Sequence, residues 1–269
     1  MNDHGDSHGF TSVDTQPRPA EWVHVLDRLR AEPFFVAYKE RLQEFLRAEA
    51  GGLFLEVGAG AGDAAVALRS RYGAEVVAVD SSLTMIAQAR DRGLPHAAVA
   101  DGHRLPFAAA QFDGAWVDRV LQHVADPARV LDELLRVVRP GGRVALADPD
   151  YDTQVLDIDD QELARRVLRF RADAALRNGS LAHRHAGLLA ARGLHDITTE
   201  ARTLVVRDPL AADNVMGLRT WAHTAAARGY LDPMDADKFV TQFDDAVRTG
   251  RFTYAVTFFL TAGMLPFPG

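Results

Sequence analysis

LEVGAGAGDAAVAL, residues 55–68, sets three glycines at alternate positions between a short apolar run and a helix-like one. The pattern reads as a buried strand that turns, through residues without side chains, straight into a helix beginning at Asp63. Such a turn lets a ligand approach the backbone closely and points the first N–H groups of the helix at it. Two phosphate-binding readings are weakened by the spacing. A dinucleotide fingerprint is G-x-G-x-x-G, whereas Gly62 arrives one residue early, and a phosphate loop closes with a lysine that is absent here. Glu56, two residues before Gly58, would repel a pyrophosphate and suits a ligand carrying positive charge.

Outward from this turn the chain alternates. Strand-like runs at Leu53–Val57, Glu75–Val79, Ala97–Ala100, Gly114–Val117 and Arg143–Ala147 are apolar enough to be buried on both faces. Helical patterns separate several of them, at Asp63–Tyr72, Leu83–Arg92 and Asp126–Val138. The last opens on Asp126-Pro127 and stops in Arg139-Pro140-Gly141-Gly142. Strand and helix repeated in this way predict a doubly wound α/β domain, with a mostly parallel sheet and helices on both faces.

After Asp148 the rhythm changes. Asp157–Asn178 reads as one long helix, Leu181–Arg192 as another and Ile197–Val206 as a strand; helices at about Pro209–Arg228 and Pro233–Thr249 precede a last strand-like run at Thr253–Ala262. Residues 1–18 are polar and expected to be a disordered tail. Residues 19–50 are expected to form N-terminal helices broken at Pro33, and 51–269 one domain with helical insertions at 157–178 and 209–249 acting as a lid.

The strand ends carry the chemistry. Asp80 closes the second strand, where a carboxylate can accept from both ribose hydroxyls of a nucleoside. Asp101-Gly102 follows the third strand, placed to accept from an exocyclic amine such as that of adenine. With Glu56, these residues describe a pocket for a nucleoside with a cationic tail.

At this point the chain resembles a known family. "LEVGAGAG", "VVAVDSS", "ADGHRLPF", "FDGAWVDRVLQHV" and "RVVRPGGRVAL" look, in that order over residues 53–148, like the motifs of class I S-adenosylmethionine-dependent methyltransferases. The likeness is to ubiquinone- and menaquinone-biosynthesis-type and natural-product enzymes. It implies the seven-stranded Rossmann-like methyltransferase fold, with one antiparallel strand that Thr253–Ala262 can supply, and S-adenosyl-L-methionine as cofactor. By the same resemblance Glu56, Gly58 and Gly60 hold the methionine part and Asp80, followed by Ser81, the ribose. Met85 packs on the adenine, Asp101 and Gly102 take its amine, and Asp118 and Arg119 lie beside the methionine moiety.

His123 falls about one turn beyond Asp118, on the wall where the family places the acceptor, and its neutral imidazole suits a general base. Asp148, ending the fifth strand, is expected to orient it and to raise its pKa. "ADPDYD" sets Asp148, Asp150 and Asp152 at alternate positions, but Thr153 and Asp159 stand where a calcium loop needs Gly and Glu, so no metal site is expected. A magnesium site for a catechol acceptor is the minor variant. His183 and His185, two apart, face different sides of a helix and are expected to be exposed. Trp22, Tyr38, Met216, Trp221, Tyr230 and Phe239 read individually as core and together as an apolar pocket.

Composition bounds the partners. At 269 residues and 48% hydrophobic the chain can bury one large core. A net charge of −7, with only Lys39 and Lys238 as lysines and the arginines scattered among acids, argues against nucleic acid and anionic membranes. Cysteine is absent, which excludes disulfides and thiol chemistry, and no apolar run is long enough for a membrane span. The expectation is a cytoplasmic enzyme acting on a small-molecule methyl acceptor, its oligomeric state open. O-methylation leads because His123 supplies a base. N- or C-methylation, a cyclisation without methyl transfer, and a nicotinamide-dependent oxidoreductase are the alternatives.

Overall fold

The structure, a computed structural model, describes residues 13–15, 32–208 and 217–267. The expectation of a disordered tail therefore lies outside the described residues, except that Val13–Thr15 form a single 3-10 turn. From residue 32 onward, α1 spans Pro33–Phe45, starting on Pro33 at its first turn. The glycine-rich region then delivers β1 (Leu53–Val57), α2 (Asp63–Tyr72), β2 (Glu75–Asp80), α3 (Leu83–Asp91), β3 (Ala97–Val99), β4 (Phe112–Asp118) and α4 (Pro127–Val137). Local signals explain the boundaries. Ser82 caps α3 by accepting from the Met85 N–H at 3.2 Å, and Asp126 caps α4 by accepting from the Arg129 N–H at 3.0 Å. Gly62 precedes α2 with φ +82°, and a Cβ there would meet Leu94 Cδ1 at 2.3 Å, so only glycine lets α2 sit this close to the chain after α3.

The remaining strands are β5 (Val138–Leu156), β6 (His195–Val206) and β7 (Tyr254–Met264), with helices α5 (Gln161–Phe170), α6 (His185–Ala190), α7 (Leu218–Ala227) and α8 (Pro233–Arg248) between them. One seven-stranded sheet results, in the order β3-β2-β1-β4-β5-β7-β6. The first five strands pair in parallel, and β7 runs antiparallel to both β5 and β6. This is the expected sheet with one reversed strand.

Side-chain alternation divides the core in two. Phe54, Trp116, Ala145 and Ala147 face a layer containing α1, α2, α3, α5, α7 and α8. Leu55, Val57, Val117, Val144 and Leu146 face α4 and α6. The sheet is thus covered on both sides.

Four boundaries differ from the sequence reading. The expected strand Arg143–Ala147 grows to Val138–Leu156, because the long β7 partners it past the end of β4, as far as Asp150 opposite Thr257 and, after a bulge, Leu156 opposite Tyr254. The expected helix Asp157–Asn178 is only Gln161–Phe170 followed by a π turn, Arg171–Ala175. Here Arg171 turns inward: its guanidinium stacks 4.4 Å from the Tyr151 ring centroid and donates to Tyr254 Oη at 3.2 Å, so the helix cannot continue with it on a solvated face. Likewise α7 begins at Leu218, after Gly217 at φ +62°; the part of the expected helix over residues 209–216 lies outside the described residues. Leu181–Arg192 resolves into a 3-10 turn at Ala182–Arg184 and the short α6.

Arg143 fastens α1 to the sheet edge. Almost fully buried, it donates to the Phe45 carbonyl and to Asp196 Oδ2, each at 2.6 Å. Arg143→Ala is expected to cost about 2–3 kcal/mol, the scale of hydrogen bonds to a charged group, read as a lower urea midpoint. An unchanged midpoint would show that α1 is held without it.

Candidate active site

The parallel register brings the ends of β1, β2 and β4 level, Val57 lying opposite both Val79 and Val117. Glu56, Asp80 and Asp118 therefore point to the same side of the sheet at its carboxyl edge, on the face covered by α1. The glycine turn lies against them. Gly58 takes φ +73°, and a Cβ there would stand 2.2 Å from Val120 Cγ2, so the turn and the chain after β4 touch only because this residue is bare.

The three carboxylates are satisfied differently. Asp80 accepts from the Gly60 N–H at 2.8 Å and the Ser82 N–H at 2.9 Å; burial nonetheless raises its pKa. Asp118 accepts from Tyr38 Oη at 2.6 Å and lies 3.4 Å from Lys39 Nζ, both on α1. Glu56 has only the Trp116 indole N–H, at 3.1 Å on Oε1, while buried Oε2 has no hydrogen-bond partner. Desolvation pushes the Glu56 pKa up to about 8. A carboxylate oxygen buried without a partner is where a cationic group would be most strongly welcomed.

The other expected contacts are distributed around this centre. Met85 is buried and Ser81 exposed. Asp101 is engaged locally, accepting from the His103 backbone N–H at 2.9 Å and meeting its ring Nδ1 at 2.6 Å, the first of which chiefly lowers its pKa. Gly102 packs beside Val57. Arg119 stands in the left-handed region at φ +58°, held by its N–H to the Ala147 carbonyl at 2.7 Å, with its guanidinium 5.3 Å from the Phe35 ring centroid. Asp14, in the 3-10 turn, accepts from Ser82 Oγ and the Leu83 N–H, each at 2.7 Å, at the start of α3.

The expected catalytic pair is arranged otherwise than the spacing suggests. The His123 pKa is lowered to about 4, first by burial and then by Arg119, Arg171 and Arg177. The expected upward shift is thereby corrected: cations and desolvation dominate the ring's environment. Asp148 directs Oδ1 at the Gln122 N–H, at 3.5 Å, and its Oδ2 stands 3.7 Å from Nε2 of His185. His185 is fully buried, which overturns its expected exposure; it opens α6 against the β5 extension. His183 is half-exposed.

Tyr38 and Lys39 are the partners sequence reasoning missed. Nothing in the α1 sequence distinguishes an inward tyrosine that holds a carboxylate from one that fills the core.

Comparison with known proteins agrees with this layout. A methyltransferase-domain family model matches residues 55–146. Over 244 residues, 88% of this chain and 70% of the relative, the sequence is 36% identical to an uncharacterised 37.1 kDa protein in a transposon of Streptomyces fradiae. A malonyl-[acyl-carrier protein] O-methyltransferase of Salmonella typhimurium is 37% identical over 166 residues, 59% of this chain and 60% of that one. Among solved structures, a phosphoethanolamine N-methyltransferase of Haemonchus contortus, in complex with phosphomonomethylethanolamine and S-adenosylhomocysteine, superposes with TM-score 0.60 at 16% identity. It covers 96% of this chain and 60% of that one, and shows the shared fold. The chain belongs to the class I S-adenosylmethionine-dependent methyltransferases. S-adenosylmethionine is the cofactor of this family, and the donor set fits it: an orphaned buried carboxylate oxygen at Glu56, a bare glycine turn and a second carboxylate at Asp80. Among the described residues no helix of this methyltransferase is long and apolar enough to cross a membrane.

The Glu56 shift gives a pH dependence of known sign. The folded state keeps a proton that the unfolded chain loses near pH 4.5, so this contribution to stability is complete below pH 4.5 and fades as pH rises to about 8. Asp80 and Asp148, also raised, act in the same sense. Glu56→Gln should flatten, without abolishing, the decline of the ligand-free protein's urea midpoint between pH 4.5 and 8. A parent and variant with parallel profiles would refute the protonated Glu56.

Proposed function

We propose that this methyltransferase transfers the methyl group of S-adenosylmethionine to a hydroxyl of a small organic acceptor, in a cytoplasmic biosynthetic pathway of the secondary-metabolite kind. The observation that carries the cofactor half is the unpartnered Glu56 Oε2, buried beside the glycine turn on the same sheet face as Asp80 and Asp118. In this reading Glu56, with the Gly58 and Gly60 backbone, receives the cationic methionine end, and Asp80, with Ser81, the ribose. Met85 backs the adenine, and Asp101 exchanges His103 for the adenine amine with the Gly102 backbone alongside. Tyr38 and Lys39 fix Asp118, and Arg119 stands next to it, beside the methionine part.

The cofactor, when bound, would supply a methyl carbon already activated by its sulfonium, so the chain would contribute mainly alignment of the acceptor. His123 would receive the proton that the acceptor hydroxyl gives up on methylation. With its pKa near 4 the ring is uncharged at neutral pH and ready to accept, though as a weak base. Asp148 is a positioning residue: through the Gln122 N–H it holds the stretch that carries His123. The described helices of the two insertions, α5 and α7 with α8, serve in this reading as the acceptor lid. Phe170 packs 6.3 Å from Trp221 and 5.0 Å from Tyr230 between ring centroids, which joins α5 to the α7 region as one apolar cover. A 27-O-demethylrifamycin SV methyltransferase of Amycolatopsis mediterranei, 32% identical over 116 residues, 40% of this chain and 43% of that one, is named for a substrate whose oxygen awaits a methyl group, which supports the hydroxyl acceptor.

Two measurements test this. The cofactor's ammonium beside Glu56 should pull its pKa down from about 8, so binding at neutral pH releases up to one proton. Calorimetry in buffers of different ionisation enthalpy should show this release in the parent and its loss in Glu56→Gln; buffer-independent heats in the parent refute the assignment. With methyl-labelled cofactor and hydroxylated aromatic acceptors, label should appear as a methyl ether. His123→Ala should lower kcat about 10²-fold, the lower end for general-base catalysis because the base is weak, at unchanged cofactor affinity. The parent kcat should stay level at every pH above the His123 value of about 4 at which that ring alone would limit it. Label on nitrogen or carbon refutes O-methylation, and a fully active variant refutes His123 as the base.

A further inference from the structure

We propose that Asp150, Asp152 and His183 form a divalent metal site at the end of β5. Beyond β4, β5 continues for several residues paired with β7 alone, and its bulge after Asp150 leaves Asp152 outside the regular pairing. The turn preceding α6 folds back onto this extension. Its His183 donates a backbone N–H to Asp150 Oδ2 at 2.9 Å, and its ring Nδ1 lies 2.5 Å from the same oxygen. One ligand atom from each of Asp150, Asp152 and His183 falls within 4.8 Å of the others. Asp150 is fully buried and rigidly seated, whereas Asp152 and His183 stand at the surface. One fixed donor with two adjustable ones is an arrangement into which an ion can enter from solvent and be closed upon.

A second observation lies directly behind it. Fully buried His185 has no hydrogen-bond partner on either ring nitrogen, and neither has Oδ2 of buried Asp148, 3.7 Å from its Nε2. Asp150 and His183 are neighbours of that ring. Buried polar atoms left without partners call for an unseen water or ion, because the desolvation of each is otherwise uncompensated. A cation bound by the outer three residues would set a positive charge beside two carboxylates crowded on one strand face, and would let Asp148 and His185 relax as its outer support.

The donor chemistry selects the ion. One imidazole nitrogen with two carboxylate oxygens suits a first-row divalent transition ion, Mn²⁺ to Zn²⁺, better than calcium, which takes oxygen donors only. Three protein ligands leave the remaining positions to water. Ligation at about 2.1 Å would open the His183–Asp150 contact to about 3 Å, within reach of a half-exposed side chain. The consequence runs inward. Asn178, in the same returning segment, donates Nδ2 to the Leu121 carbonyl at 2.8 Å and the Val124 carbonyl at 2.9 Å, clasping the loop around His123. A cation tying His183 to β5 therefore stiffens the acceptor wall.

The probe is Mn²⁺ added to the chelator-treated full chain, with loss of the free-ion electron paramagnetic resonance signal as readout. Saturable binding at one ion per chain is expected. Asp152→Asn and His183→Ala, both at the surface, should each weaken it at least tenfold with unchanged circular dichroism, while Asp173→Asn on the α5 side leaves it intact. Zn²⁺ should compete. Absence of saturable binding, or affinity unchanged in both site variants, overturns the proposal; neither outcome depends on methyl transfer.

Discussion

Three carboxylates, Glu56, Asp80 and Asp118, end adjacent parallel strands on one side of the sheet, and the chain must keep them together in a place largely closed to water. Each would be costly alone. The glycine turn answers for Asp80, because a backbone without side chains can bring the Gly60 N–H to it while Ser82 supplies another. Helix α1 answers for Asp118 through Tyr38 and Lys39, which makes that helix part of the site rather than a cover. Glu56 is left with one indole N–H and a proton. That unequal treatment is what gives the pocket its preference: the one carboxylate whose demand is unmet is the one that a cation would satisfy.

Much of this was legible in the residues because it is local. A strand ending in Glu56, a bare turn, a helix opening at Asp63 and acids at the next strand ends are consecutive features, and each rests on backbone rules that operate within a few positions. The caps Ser82 and Asp126 follow the same logic. What escaped reading depends on distant segments meeting. The length of β5 is decided by β7, more than a hundred positions later, and no pattern in Arg143–Ala147 announces it. Arg171 breaks a helix that its own neighbourhood favours because Tyr151 and Tyr254 draw it inside. His185 looks like a surface residue until β5 overshoots and α6 closes on it.

His123 shows the same division in energetic form. Its place after β4 follows from spacing alone, but its basicity is set by burial and by three arginines, of which Arg171 and Arg177 come from the broken helix and the segment after it. Asp148, expected to act on His123, instead stands 3.7 Å from His185. The sign of a pKa shift is thus a tertiary property even where the residue's position is a local one.

The reversed strand β7 carries β5 beyond the end of β4, and the acids on that extension form a second group beside the first. The carboxylates that suit the cofactor lie on the face covered by α1, within or beside the parallel strands that the family model matches. Asp148 and Asp150 sit where β5 has outrun β4 and pairs only with β7, and they turn toward the α6 side. A change in the returning segment, at His183, His185 or Asn178, reaches the loop around His123 through the Leu121 and Val124 carbonyls without touching the glycine turn. The proposed acceptor wall would therefore be open to reshaping, by sequence or by the proposed ion, while the register that keeps Glu56, Asp80 and Asp118 on one face stays fixed by hydrogen bonds on the opposite side of β4.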